Sequence, residues 1–318
     1  MLLEELTESF LFSRKNGVSG AKGIARPKTL KFYECGLQRF IAYMQTTRQR
    51  TNYEDITRND MRAFVEFVHS HPSWKSKNTK YGILRCVRSF MNFIEKDAEC
   101  QEAHLRGYTN VLGVIPKNEV RKVIPSVRGV KDVRGQFDPR KFYGLRNYAI
   151  FNMLVATGLR NGEIRNLKLT DLHLEDRILH VPEEGKTGTR LVPMDTTLIG
   201  VLKAWLSRRR QMQHATDSPW LFPARGGGQL QENAIGQAFR KVQAGVPRAG
   251  RITPHTLRHF FGTHYLSKSG NMERCRLILG HKSYETLKIY LHMSQATGDE
   301  GKDEMERVSP LKTVNASR

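Results

Sequence analysis

Apolar residues recur at steps of three and four along most of this chain, and that spacing limits the fold before any other feature does. A 3.6-residue period places such positions on one face of a helix, whereas a half-buried strand alternates strictly. Leu3, Leu6, Phe10 and Leu11 make the first set. Leu30, Tyr33, Leu37, Phe40, Ile41 and Met44 make the second. Thr57 reads as an N-cap ahead of Met61, Phe64, Val65 and Val68. Tyr81, Leu84, Val87, Phe90, Met91 and Ile94 complete a fourth helix. Residues 1–100 are therefore expected to form a small helical bundle. A polar, glycine-bearing loop from Asn16 to Pro27 separates its first two helices.

From 101 to 136 the periodicity fades. Gly107, Gly113, Pro116, Pro125, Gly129 and Gly135 punctuate a stretch rich in Lys and Arg, which reads as an extended basic linker. A second domain is expected over 137–318. Tyr148, Ile150, Phe151, Met153 and Leu154 lead a buried helix that stops at Gly158, a C-cap. Residues 177–181 and 190–193 flank a glycine-rich turn and read as a β-hairpin. Further helices are expected over 198–212, from a cap at Thr253 with Pro254 in the first turn to about Lys268, over 272–279 and over 283–291. The fold class is thus mainly α, with one small antiparallel sheet.

Charge narrows the partner. The formal net charge is +21 and the pI about 10. The excess is spread out: +6 over residues 1–100, +5 over 101–200 and +10 over 201–318. A protein basic throughout attracts a long polyanion by counterion release. Lys75, Lys77, Lys80, Arg85 and Arg88, in and just before the fourth helix, are candidates to grip a DNA backbone. Arg190 and His259 are further DNA-contact candidates. No apolar run nears the roughly 18 residues of a membrane span. The acidic amino terminus lacks a secretory pattern, so no membrane partner and a cytoplasmic location are expected. Mean hydropathy, −0.52, fits a water-soluble chain. The four cysteines are far apart without a Cys-x-x-Cys pair, which excludes a zinc ribbon and a redox motif.

Six side chains in the second domain suit attack on a phosphodiester: Arg160, Lys186, His255, Arg258, His281 and Tyr290. Guanidinium groups offer paired donors that match phosphate oxygens. Arg160 follows the turn Thr157-Gly-Leu, and Glu163, three residues on, either orients a catalytic side chain or interacts with the dipole of a helix N-terminus. His255 and Arg258 share a helix face at i and i+3. Lys186 sits in Gly185-Lys-Thr-Gly188, where a mobile ammonium can protonate a leaving oxygen. Tyr290, nine residues after His281, is a phenol that adjacent cations can activate as a nucleophile. His255 and His259 have the i, i+4 spacing of metal ligands. The Glu of His-Glu-x-x-His is missing and no third ligand is evident, so neither a metal nor a cofactor is expected.

On Thr157-Gly-Leu-Arg160-Asn-Gly-Glu163, His255-Thr-Leu-Arg258-His259 and Leu279-Gly-His281 through Tyr290, the chain resembles the tyrosine recombinases, the phage-integrase and Xer-like family. The resemblance runs from about 137 to Met293; residues 1–97 look like the family's helical core-binding domain. It implies a C-shaped clamp on double-stranded DNA bearing specific recombination sites. It implies a homotetramer that exchanges strands through a Holliday junction, with accessory DNA-bending proteins as further partners and integration, excision or resolution of a mobile element as the outcome. It implies that Arg160 and Arg258 hold the scissile phosphate, Lys186 is the general acid on the 5′ oxygen and His255 the acid/base. It implies likewise that His281 holds the phosphate, that Glu163 supports the site and that Tyr290 forms a 3′-phosphotyrosine. The segment after Met293, with Met305, Val308, Leu311 and Val314, would dock on a neighbouring subunit. A non-catalytic DNA-binding regulator, a type IB topoisomerase and a metal-dependent nuclease remain alternatives.

Overall fold

The structure is a computed structural model that describes residues 1–18, 23–95, 112, 124–182, 189–211, 216–281, 283–284, 310–311 and 314. The chain divides into two compact units, residues 1–120 and 121–318. Lys186, Tyr290 and most of the expected 101–136 linker lie outside the described residues.

Among the described residues, the first unit contains α1 (Leu3–Asn16), α2 (Pro27–Thr47), α3 (Arg58–Ser70) and α4 (Lys77–Ile94). The apolar faces read from the sequence meet in one core, where Leu3, Phe10, Leu37, Phe40, Met61, Phe64, Val87, Phe90 and Ile94 are fully or almost fully buried. α2 and α4 approach closely at Gly36. A Cβ there would lie 2.6 Å from the Cys86 sulfur. Thr57 caps α3 as expected: its hydroxyl accepts the Asp60 N–H, and the Asp60 carboxylate accepts the Thr57 N–H in return. Burial alone would raise the Asp60 pKa. The Thr57 donors and the Arg48 and Arg50 guanidiniums outweigh it and hold the group at about 2.

The second unit is built around α6 (Phe142–Thr157), whose residues from Ala149 to Thr157 are all buried. A helix buried on every side has little amphipathic contrast, and it is packed by α8 (Thr196–Arg209) and α10 (Pro254–Ser269). Around them lie α5 (Val127–Arg134), α7 (Asn161–Asn166), α9 (Ala234–Gln243) and α11 (Met272–Leu279). Strands β1 (Leu172–His173), β2 (Ile178–Val181) and β3 (Arg190–Pro193) form an antiparallel sheet in that order, with Ile178 opposite Pro193 and Val181 opposite Arg190. Leu311 and Val314 are buried in this same core. Among the described residues, no helix is long and apolar enough to cross a membrane.

One sequence expectation fails here. The extended basic linker was read as far as Gln136, yet residues 127–134 form α5. Ser126 caps it, its hydroxyl accepting the Gly129 N–H at 3.1 Å. Val130 and Val133 are fully buried in the core of the second unit. Pro125, Gly129 and Gly135 masked a helix with only two strong anchors.

Gly158 ends α6 with φ +63°, its N–H bonded to the Leu154 carbonyl. A Cβ there would lie 2.5 Å from the Phe261 ring of α10 and 2.8 Å from a Leu279 methyl of α11. Gly158→Ala should therefore destabilise the protein by about 2–5 kcal/mol, combining left-handed strain with overpacking. Gly200→Ala, in a helix with nothing within 4 Å of the added carbon, should be neutral or raise stability by up to about 1 kcal/mol. Denaturant midpoints of the two variants check both outcomes; equal midpoints would rule out the argument.

Candidate active site

The turn after α6 delivers the first arginine. Thr157 is buried with its hydroxyl on the Met153 carbonyl, Gly158 turns the chain, and Leu159 is buried. Arg160 then stands at the N-cap of α7 with extended backbone. Glu163 occupies the third position of α7, where its carboxylate accepts the Arg160 backbone N–H at 2.7 Å. That closes the first turn of the helix and also puts a buried carboxylate beside the arginine side chain. Glu163 thus serves the helix N-terminus, as one of its two sequence readings expects, and contacts the Arg160 guanidinium as well.

Three guanidinium groups gather around Glu163 and the carboxyl end of α11. Arg190, from β3, meets both Glu163 oxygens at 2.9 Å through Nη1 and Nη2 and donates Nε to the Ile278 carbonyl at 2.7 Å. Arg160 donates Nη1 to Glu163 Oε1 at 2.9 Å, with longer contacts to the Leu279 and Gly280 carbonyls at 3.4 and 3.3 Å. Arg258, from α10, is 4% exposed. It donates to the Gly158 carbonyl at 2.9 Å and to the Leu279 carbonyl at 2.6 Å. The last carbonyls of a helix have no partner within it and carry its negative dipole end, so they suit cations. Here arginines from three separate segments supply the partners.

His281 follows this helix end. Its Nε2 lies 2.8 Å from Arg258 Nη2. Arg258 can only donate, so Nε2 is the acceptor and the ring is neutral. Burial lowers the His281 pKa most, and the charges of Arg258, Arg160, Arg190 and His259 push it further, to about 3. The backbone of the turn is fixed from outside by Arg276, which donates to the His281 carbonyl at 2.9 Å while paired with Glu273. Tyr284 donates its hydroxyl to Glu273 and lies beneath the Arg276 guanidinium. Sequence reasoning missed this brace; the i, i+3 pairing of Glu273 with Arg276 was its only signal.

His255 and His259 lie one turn apart on α10, their Nε2 atoms 2.9 Å from each other. His255 is exposed and His259 is 4% exposed. Among the described residues no three His, Cys, Asp or Glu side chains group to hold a metal ion.

Two DNA-contact expectations are corrected. The Arg190 side chain is only 9% exposed and is spent on Glu163 and Ile278. His259 is buried against His255. Neither faces outward to a duplex. In the first unit, Lys75, Lys77 and Arg85 are exposed, Arg88 is half-buried, and Lys80 donates to the His69 carbonyl. The structure thus brings together Arg160, Glu163, Arg258 and His281, with His255 on the same helix as Arg258. Lys186 and Tyr290 fall outside the described residues.

The arrangement presents an anion with a preorganised cationic pocket. One buried carboxylate offsets part of three guanidinium charges, and the Arg160 side chain keeps 36% of its surface exposed. Residues 136–297 match the model of the phage integrase family, about half of the chain. The chain belongs to the phage integrase family. It is 29% identical over 285 residues to tyrosine recombinase XerD of Listeria innocua serovar 6a, covering 86% of this chain and 90% of that one. It is 28% identical over 270 residues to tyrosine recombinase XerC of Pseudomonas savastanoi pv. phaseolicola, covering 84% and 86%. The fold matches XerH site-specific recombinase bound to a palindromic difH substrate (TM-score 0.69, 19% identity, 92% of this chain and 82% of that one). It also matches a lambda integrase dimer bound to a core site (TM-score 0.69, 17% identity, 95% and 99%).

The charge arrangement sets a pH response. Burial raises the Glu163 pKa, but Arg190 above all, then the Arg160 N–H and Arg258, hold it at about 2. That is below the ordinary carboxyl value of 4.5, so its stabilisation is complete above pH 4.5 and is lost as pH falls toward 2. His281, at about 3 against 6.5, is likewise stabilising as the neutral ring above pH 6.5 and progressively destabilising below it. The melting temperature of the protein should fall on acidification from pH 7. His281→Gln should flatten the part between pH 6.5 and 4.5, and Glu163→Gln the part below 4.5. Melting curves across that range measure it; slopes identical to wild type in both variants would refute the assignment.

Proposed function

We propose that this chain is a site-specific DNA recombinase that cleaves and rejoins DNA through a 3′-phosphotyrosine intermediate, integrating, excising or resolving a mobile element. The observation that carries the reading is the convergence of Arg160 and Arg258, far apart in sequence, on the Leu279 carbonyl beside a neutral His281. Two guanidiniums held at one point can bind both non-bridging oxygens of a phosphodiester and stabilise the charge that builds there during attack. Binding of DNA would draw Arg160, the more exposed of the two, from its long carbonyl contacts to the phosphate.

In this reading the Tyr290 oxygen attacks phosphorus and the bond to the 5′ oxygen breaks. Lys186 gives its proton to that oxygen, leaving a free 5′ hydroxyl and a tyrosine–DNA phosphodiester. His255 serves as acid/base for the phenol proton, His281 bonds a phosphate oxygen, and Glu163 holds Arg160 in place. The reverse attack by a 5′ hydroxyl reseals the strand without an external energy source, because the phosphodiester energy is kept in the covalent link. Residues 1–100 act as the core-binding domain and engage the backbone through Lys75, Lys77, Arg85 and their neighbours, and 137–318 as the catalytic domain. Four copies assemble on two specific sites in double-stranded DNA, in the cytoplasm, and exchange strands pairwise. The basic charge of both units supports a binding affinity that falls steeply with salt.

A nicked duplex carrying the DNA that flanks the coding sequence tests the chemistry. Wild-type protein should give a covalent adduct that survives denaturation in detergent. Tyr290→Phe should bind the duplex with similar affinity and give none. Adducts at the wild-type level in that variant would remove Tyr290 as the nucleophile, and their absence with wild-type protein on cleavable sites would remove the recombinase reading.

A further inference from the structure

Arg190, a DNA-contact candidate in the sequence, is the most completely engaged guanidinium on Glu163. It takes both carboxylate oxygens in a fork, whereas Arg160 shares one of them. We infer that Arg190 is a positioning residue for the cleavage reaction: by occupying Glu163 it keeps the charge of Arg160 available to the scissile phosphate. This inference rests on the recombinase reading above.

The argument is one of charge balance in a buried setting. Glu163 is 1% exposed and carries one negative charge. With Arg190 and Arg160 both on it, the three groups sum to +1, and Arg160 remains an effective cation. Without Arg190 the sum is zero. The carboxylate would then pair with Arg160 alone, and two charges of opposite sign in a poorly solvated place favour a closed bidentate pair. Arg160 would turn inward from its 36% exposed position, and the pocket would lose much of its attraction for an anion. Arg190 also ties β3 to the α11 end through the Ile278 carbonyl, one residue before the carbonyl that receives Arg160 and Arg258. The hairpin strand and the arginine pair therefore share one anchor.

The test compares cleavage of two nicked duplexes, one with an ordinary scissile phosphate and one with a methylphosphonate there. The methyl group replaces a charged oxygen, so the second substrate depends less on arginine charge. Arg190→Met should lose about 10- to 100-fold in cleavage rate on the phosphodiester, less than removal of a direct donor. The loss on the methylphosphonate should be about tenfold smaller, as it should be for Arg160→Ala. Adding Glu163→Gln to Arg190→Met should recover part of the phosphodiester rate, because the competing carboxylate is gone. Arg190→Lys, which keeps the charge but not the fork, should fall between; if Arg190→Met does not fold, this variant carries the same comparison. Equal losses on both substrates, or a double variant worse than the single one, overturn the inference. Both outcomes are read against wild-type cleavage, so they are separate from a failure of the recombinase reading, in which wild-type protein itself forms no adduct.

Discussion

The second unit depends on one unfavourable act made tolerable: placing a carboxylate and the better part of three guanidiniums out of water. Any one of these charges buried alone would cost several kcal/mol. Glu163 answers Arg190 and Arg160, and the end of α11 answers all three arginines with carbonyls that its own helix leaves unpaired. The solution works only if residues 158–163, 190, 258 and 278–281 arrive together. It therefore welds four distant segments into one site. It also fixes the guanidiniums before any substrate arrives, and preorganised charge is what a developing anionic transition state rewards most.

How much of this was legible in the sequence depends on the kind of signal. Helices with one apolar face, such as α2 and α4, announce themselves by spacing. Thr57, Gly158 and Thr253 mark ends because each solves a local backbone problem, and the structure uses all three. The hairpin was legible from its glycine-rich turn, and its strand limits nearly coincide with the reading. α5 was not, because its glycines and basic residues outweighed Val130 and Val133, whose burial is decided by distant contacts. β1 is two residues long and has no pattern to read.

For the site, motif spacing pointed to Arg160, Glu163, Arg258 and His281, and the fold gathers them. It could not separate an arginine facing DNA from one turned inward. Arg190 was misread for that reason, and His259 for the parallel one that its burial against His255 is decided by tertiary packing. The neutral state of His281 was equally invisible, since it follows from burial and from three arginines that the chain brings in from elsewhere.

A buried acid flanked by two arginines is not by itself a site, and the first unit supplies the contrast. Asp60 is also 1% exposed, also bonded by two guanidiniums and also held at about 2. Its partners Arg48 and Arg50 lie within twelve residues of it, in the connection between α2 and α3, and both are more than a third exposed. That cluster secures the start of one helix to the end of the previous one. The Glu163 cluster draws its arginines from three separate segments, adds a helix end and a neutral imidazole, and keeps one guanidinium only partly covered. Local charge pairs fix a turn; charges assembled from across the chain, with one left facing outward, create a pocket for an anion.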